Sequence, residues 1–261
     1  MGNPPVVPPS CFSVAVPLRC GGHRTTIVAN PSDQGYTSVN MKNMQKQLLN
    51  IYYRLYKHFG PQGWWPANSA FEVAVGAILT QNTSWQNVER AIAGLKKGRF
   101  LTFRKMLRLD EKKLTSLIRP AGYYNIKARR LKNFLEFFDK NYGGSFKRMK
   151  RKSAVSLRQE LLGVNGIGPE TADSILLYAL GKPIFVVDAY TRRIMSRHSL
   201  LGVRDGYEAI QSLFTEHLPN NARFFNEYHA LLVRCAKELC KKKKGNCKAC
   251  PLSEDMAYGA K

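Results

Sequence analysis

Apolar side chains at Leu48, Ile51, Tyr52, Leu55 and Tyr56 recur at the spacing of a helix that buries one face, which predicts a helix over residues 42–59. Residues 71–79 are apolar almost throughout, so the helix they predict is central and buried on all sides. Helical spacing returns over residues 171–180 and stops at Gly181, with Pro183 just beyond. Ile184, Phe185, Val186 and Val187 follow, all apolar and three of them β-branched. Too short for a helix, they predict an extended run through the interior that delivers Asp188 to a new helix start. Gly122 and the pair Gly143-Gly144 punctuate the helices between.

The densest local signal is Gly163-Val164-Asn165-Gly166-Ile167-Gly168-Pro169. Gly163 ends one helix, Gly166 and Gly168 permit positive φ, and Pro169 suits the first turn of the next helix. Val164 and Ile167 are expected to pack inward while the amides of Gly166 and Gly168 face an anion such as a phosphate oxygen. A tight corner with no ligand uses the same glycines, so both readings stand on this spacing alone. The default task of Asp188, ahead of Ala189-Tyr190-Thr191, is that of an N-cap. Behind a phosphate-binding corner it becomes a candidate catalytic carboxylate.

Charge points the same way. Lys plus Arg number 41 against 18 acids, a formal net charge of +23 on 261 residues, which fits a polyanionic partner and excludes little else. The basic runs at 96–97, 104–113, 127–132, 147–152 and 241–244 each read as a solvated face. Together they predict steep salt dependence of binding. No apolar run approaches the length of a membrane span, and the six cysteines suit a reducing compartment better than a disulfide framework.

Residues 161–194 resemble the helix-hairpin-helix, Gly-Pro-rich loop and aspartate signature of the endonuclease III superfamily of DNA glycosylases, and the resemblance runs from about Met41 to Cys250. It implies an all-α fold of two helical domains with duplex DNA bound across the cleft between them. It further implies that a damaged nucleotide is flipped out of the duplex and that Asp188 supports cleavage of its N-glycosidic bond. The hairpin residues Gly163, Val164, Gly166, Gly168 and Thr171, with Gln81 and Asn82, then become DNA-binding candidates. Gln81 is the candidate plug for the vacated space. Three further segments, Trp64-Trp65-Pro66, residues 71–83 and residues 119–131, are similar to the bacterial 3-methyladenine DNA glycosylase III branch. That similarity sets Trp65, Pro66, Trp85 and Glu170 around the extrahelical base, as a pair of indoles that can sandwich a cationic purine. Trp64 reads as core.

Departures from the pattern sharpen the expectation. Bifunctional relatives carry a lysine directly before the Thr-Ala of the second hairpin helix, and here that slot holds Glu170. Glutamate cannot form an imine, so a monofunctional, water-using glycosylase is expected; Lys182, a helix away, reads as an end-of-helix cation. Cys240, Cys247 and Cys250 stand at the spacing of the first three ligands of the superfamily's [4Fe-4S] loop, but the fourth position is Met256. Cys235 and Asp255 are substitute donors, and a cluster, a zinc ion or a metal-free loop all remain open. The expected substrate is an alkylated purine such as 3-methyladenine; the alternative is an endonuclease III-like glycosylase for uracil or thymine in mismatches, hypoxanthine or an oxidised base, with lyase activity. A non-enzymatic hairpin module that only holds DNA is the third reading.

Residues 67–180 are expected to form a six-helix domain ending in the hairpin, and residues 41–66 to join residues 181–261 in the second. Residues 1–40, rich in Pro, Val, Ser and Gly, read as a disordered leader or an expression remnant, and their scarcity of acids also admits a targeting peptide. The expected molecule is a monomer in the cytoplasm or nucleoid of a prokaryote.

Overall fold

The computed structural model describes residues 31–202 and 204–253, with side chains from residue 42 onward. Among the described residues the chain is helical throughout, with no strand and with twelve α-helices. These are α1 (Pro31–Phe59), α2 (Ala70–Leu79), α3 (Trp85–Lys97), α4 (Phe103–Arg108), α5 (Glu111–Ile118), α6 (Tyr124–Tyr142), α7 (Phe146–Lys150), α8 (Ala154–Leu162), α9 (Pro169–Ser174), α10 (Ala189–Arg197), α11 (Tyr207–His217) and α12 (Ala222–Glu238). The all-α expectation therefore holds, and no described helix is long and apolar enough to cross a membrane.

Of the described residues, those from Asn40 onward form one compact unit. The first helix starts at Pro31, inside the stretch expected to be a leader, and residues 1–30 lie outside the described residues. Between residues 67 and 180 lie eight α-helices, α2 to α9, rather than six. The extra ones are short: α4 has six residues and α7 five, each started by a polar residue ahead of one buried methionine. Within this unit the Tyr228 hydroxyl of α12 donates to the Leu48 carbonyl of α1 at 2.7 Å.

Side-chain caps set most helix starts. Ser69 accepts from the Glu72 amide, Asp110 from Lys112 and Lys113, Ser153 from Ser156, and Asn221 from Arg223 and Phe224. Helix α2 is buried along its length, as its composition predicted, and packs against α3, α6 and α9. Gly76 in its middle is a close-approach residue: a Cβ there would stand 3.3 Å from the Trp65 ring.

Carbonyls at the end of α2 are satisfied by an internal cation. Lys127 is only 1 % exposed, and its Nζ donates to Leu79 and Ala121 carbonyls at 2.8 Å each. Burial, reinforced by the Arg130 charge, holds its pKa down at about 8. The run 127–132 is thus not simply a solvated face, because its first lysine ties the end of α2 to the start of α6. Lys127→Met should destabilise the fold by about 2–4 kcal/mol, since both carbonyls lose their donor. Urea unfolding would show it, and a loss below about 0.5 kcal/mol would mean the carbonyls find other donors.

Candidate active site

The corner between α8 and α9 is built as its glycines suggest, with one correction. Gly166 has φ +92°, and a Cβ there would collide with the Arg130 side chain. Gly168, expected at positive φ, instead has φ −93° and ψ 178°, ordinary extended backbone that caps α9, and a Cβ on it would meet open space. Gly163 closes α8 at φ −72°, so it too needs no left-handed turn. Val164 and Ile167 are buried beneath the corner, which leaves Val164 its backbone alone to offer a ligand.

Gln81 is fastened to this corner. Its Nε2 donates to the Gly166 carbonyl at 3.0 Å and to Thr171 Oγ1 at 2.9 Å, and Arg130 Nη1 donates to its Oε1. Asn82, next in the chain, is exposed in a left-handed conformation at φ 52°, which asparagine tolerates.

After α9 the helix loosens into a π turn over Ile175–Ala179, where the apolar spacing had predicted uninterrupted α-helix. The chain then runs extended and buried from Ile184 to Val187, as expected. Gln211 Nε2 donates to the Phe185 carbonyl at 2.6 Å, and the Val187 amide donates to the Tyr207 hydroxyl at 3.3 Å. Held this way, the run ends in Asp188, whose Oδ1 accepts from the Thr191 amide at 2.7 Å. Asp188 is therefore the N-cap of α10, and its side chain also opens into a cavity.

That cavity holds about 430 Å3 and is lined by Trp64, Trp65, Gln81, Asn82, Trp85, Arg130, Glu170, Thr171, Asp188, Tyr190, His229 and Lys237 among others. Trp64, read as core, is half-buried and belongs to the same wall. The Trp65 and Trp85 rings meet edge to face, centroids 5.0 Å apart at 87°, so they form one aromatic wall and not a slot between parallel rings. Trp85 Nε1 is already donated to Glu89 at 2.8 Å. Pro66 does not line this cavity; it borders a neighbouring one of about 220 Å3 behind Trp65 and Trp85. Lys182 is also elsewhere, donating to the Lys150 and Lys152 carbonyls.

Two carboxyl groups share the cavity and their environments separate them. Burial alone would raise the pKa of Asp188, but the adjoining His229 ring and the Thr191 amide bring it below the ordinary carboxylate value. Glu170 is accessible on its open side yet sits deep in the concavity, so desolvation, then the Asp188 charge, pushes it up to about 7 against the pull of His229. One group is thus an ionised carboxylate at neutral pH and the other is poised to hold a proton.

Two members of the site escaped the sequence. His229 Nδ1 meets the Tyr178 hydroxyl, and its Nε2 lies 3.5 Å from Asp188 Oδ2. The signal for His229 was a histidine on the apolar stripe of α12, four residues after Phe225, which ordinarily means core. Tyr178 is aimed by the π turn, which no spacing announced, and its ring stands 5.1 Å from Trp65.

The cysteines gather without completing a metal site. Cys235 is buried and hydrogen-bonds Cys250, an arrangement that pushes the Cys235 thiol up and brings the Cys250 thiol down to about 6. Cys240 Sγ accepts from Arg197 at 3.1 Å, and Cys247 is exposed. Among the described residues no three His, Cys, Asp or Glu side chains converge as metal ligands would, so this donor set does not fit a four-thiolate cluster. Asp255 and Met256 lie outside the described residues.

The profile of the HhH-GPD superfamily base excision DNA repair proteins matches residues 75–220. A protein of Methanocaldococcus jannaschii, provisionally named a DNA repair glycosylase, is 49% identical over 81% of this chain and 98% of its own length. Endonuclease III of Sulfolobus acidocaldarius is 29% identical over 73% of this chain and 82% of its own. Among solved structures, H. pylori 3-methyladenine DNA glycosylase bound to 1,N6-ethenoadenine is 28% identical with a TM-score of 0.63, covering 76% of this chain and 97% of that one. An endonuclease III–DNA complex at 20% identity and TM-score 0.70, covering 80% of this chain and 94% of that one, shows the shared fold. The chain belongs to the HhH-GPD superfamily of base excision DNA repair proteins, and within it to the DNA repair glycosylases.

The Glu170 shift makes a stability prediction. Its folded-state pKa of about 7 lies above the ordinary 4.5, so the folded state binds the proton more tightly, and this contribution is present below pH 4.5 and lost as pH rises through 7. Glu170→Gln removes that loss. Discounting for the open side of the cavity, the variant should melt about 2–4 °C above wild type at pH 8 and level with it near pH 4.5. Equal differences at the two pH values would refute the assignment.

Proposed function

We propose that this chain is a monofunctional DNA N-glycosylase that binds duplex DNA, turns an alkylated purine such as 3-methyladenine out of the stack and hydrolyses its N-glycosidic bond. The observation that carries this reading is Asp188, an ionised carboxylate on the wall of a cavity that also holds three indoles and Glu170. The net charge of +23 supports a nucleic-acid partner, and the exposed side of the Gly166–Gly168 corner supports a phosphate contact beside the flipped nucleotide. The flipped base stacks against the Trp65–Trp85 wall, while Gln81 and Asn82 face the duplex. Residues 67–180 supply one side of the cleft, and residues 41–66 with 181–253 the other. The molecule works as a monomer, in the cytoplasm or nucleoid of a prokaryotic cell.

In the chemical step the bond from the sugar C1′ to the purine nitrogen breaks and its electron pair leaves with the base. A base that carries a positive charge departs as a neutral molecule, so no strong acid is needed. Asp188 stabilises the oxocarbenium-like charge left on the sugar, and takes a proton from the water that attacks C1′. Glu170 stands where an attacking lysine would stand, and supplies no amine.

A purified-protein screen of duplexes that each carry one modified base, scored for free base and for nicking with and without alkali, tests the substrate. Asp188→Asn should lower base release at least about a hundredfold while duplex affinity stays within about threefold. Unchanged release would remove Asp188 from the chemistry.

A second reading has its own observation. Lys237 lines the same cavity, with its Nζ 5.8 Å from the centre of the Trp64 ring, and is an amine within the site. A lyase would use it to form an imine with the opened sugar. Borohydride should therefore trap no covalent complex with wild type on the lesion duplex; an efficient adduct that disappears in Lys237→Gln would establish the lyase instead.

A further inference from the structure

The ring of His229 is 6 % exposed and points two ways. Its Nδ1 meets the Tyr178 hydroxyl, while its Nε2, buried and with no hydrogen-bond partner, stops 3.5 Å short of Asp188 Oδ2. The other Asp188 oxygen is already engaged by the Thr191 amide. Tyr178 keeps its proton at any working pH, because burial and then the Asp188 charge push its pKa well above the ordinary value. A carboxylate only accepts, so the ring nitrogen beside Asp188 is the one that carries a proton, and a Tyr178 O–H that donates to Nδ1 completes that order.

We propose that His229 is a positioning residue for Asp188: Tyr178 holds its ring so that Nε2–H donates to Oδ2 and fixes the carboxylate facing the sugar. This rests on the reading of Asp188 as the catalytic carboxylate. With Thr191 on one oxygen and His229 on the other, the carboxylate cannot swing and presents its remaining lone pairs to the cavity.

Other charges face this ring. Asp188 and Tyr190 come from the start of α10, Glu170 from the first turn of α9, Tyr178 from the π turn, and Lys237 from α12 itself.

The test uses the full chain and duplex DNA treated with a methylating agent, with released methylpurines counted. His229→Ala should lower kcat about tenfold or more with KM within about twofold, and Tyr178→Phe should lower it about threefold. His229→Gln keeps an amide donor near Nε2 and should retain most of the rate. Side-chain nitrogen NMR of the free protein reads the tautomer without any activity. Wild type should show the proton on Nε2, and Tyr178→Phe should lose that preference. A proton found on Nδ1 and not on Nε2, or rates in all three variants matching the parent, would overturn the proposal. A wild-type protein with the Nε2–H tautomer that releases no methylpurine would instead refute the alkylpurine reading and, with it, the catalytic task assigned here.

Discussion

An ionised carboxylate held nearly out of water is the constraint on which this structure turns. The Asp188 side chain is 11 % exposed, and an unpaired charge so placed costs several kcal/mol. Three features offset that cost: the Thr191 amide, the positive end of α10 and the His229 ring. Each demands a piece of the fold. The helix start requires the extended run 184–187, which Gln211 and Tyr207 of α11 hold in place. The histidine requires α12, and its orientation requires the π turn that carries Tyr178. Four stretches distant in sequence are therefore committed to one oxygen pair.

What the sequence revealed was what local chemistry decides. A glycine corner, a proline in the first helical turn, a β-branched run and an aspartate before a helix each restrict the backbone over a few residues, so the corner and the delivery of Asp188 were legible. Gly168 misled because glycine is permitted at positive φ without being obliged to use it. His229 was hidden for a different reason: its environment comes from α9 and α10, and along α12 it looks like any residue of an apolar stripe. The tryptophans were visible as a group, but the edge-to-face contact of Trp65 and Trp85 depends on how close α2 approaches at Gly76, a tertiary fact.

The basic charge also divides differently from the way its runs suggest. Several cations face inward onto helix C-termini, where unpaired carbonyls and the helix dipole favour them. Lys127 serves the end of α2, Lys132 the carbonyls of Leu107 and Leu109, and Lys182 those of Lys150 and Lys152. Arg193 and Arg197 gather carbonyls in the last turn of α12 and just after it, and draw the Cys240 loop against α10. These residues act as structural donors, so they keep their charge and the formal +23 but have fewer N–H groups left for direct phosphate contacts. Arg129 and Arg130, in a groove beside Asn165 and Gly166, lie where that field meets the corner.

Gln81 joins the two halves of the proposed mechanism. Its amide is spent on the Gly166 carbonyl and Thr171, and its carbonyl on Arg130, so the free protein holds it in a closed set of bonds between corner and cavity. A residue that is to fill the space left by a flipped base must break those bonds. Its partners then change together: Gly166 belongs to the corner, and Thr171 directly follows Glu170. If the corner takes a phosphate and Gln81 fills the vacated space, as proposed above, the two events share those partners. Turning the base out costs least where it is weakly stacked, so a damaged site favours the flipped arrangement over undamaged sequence.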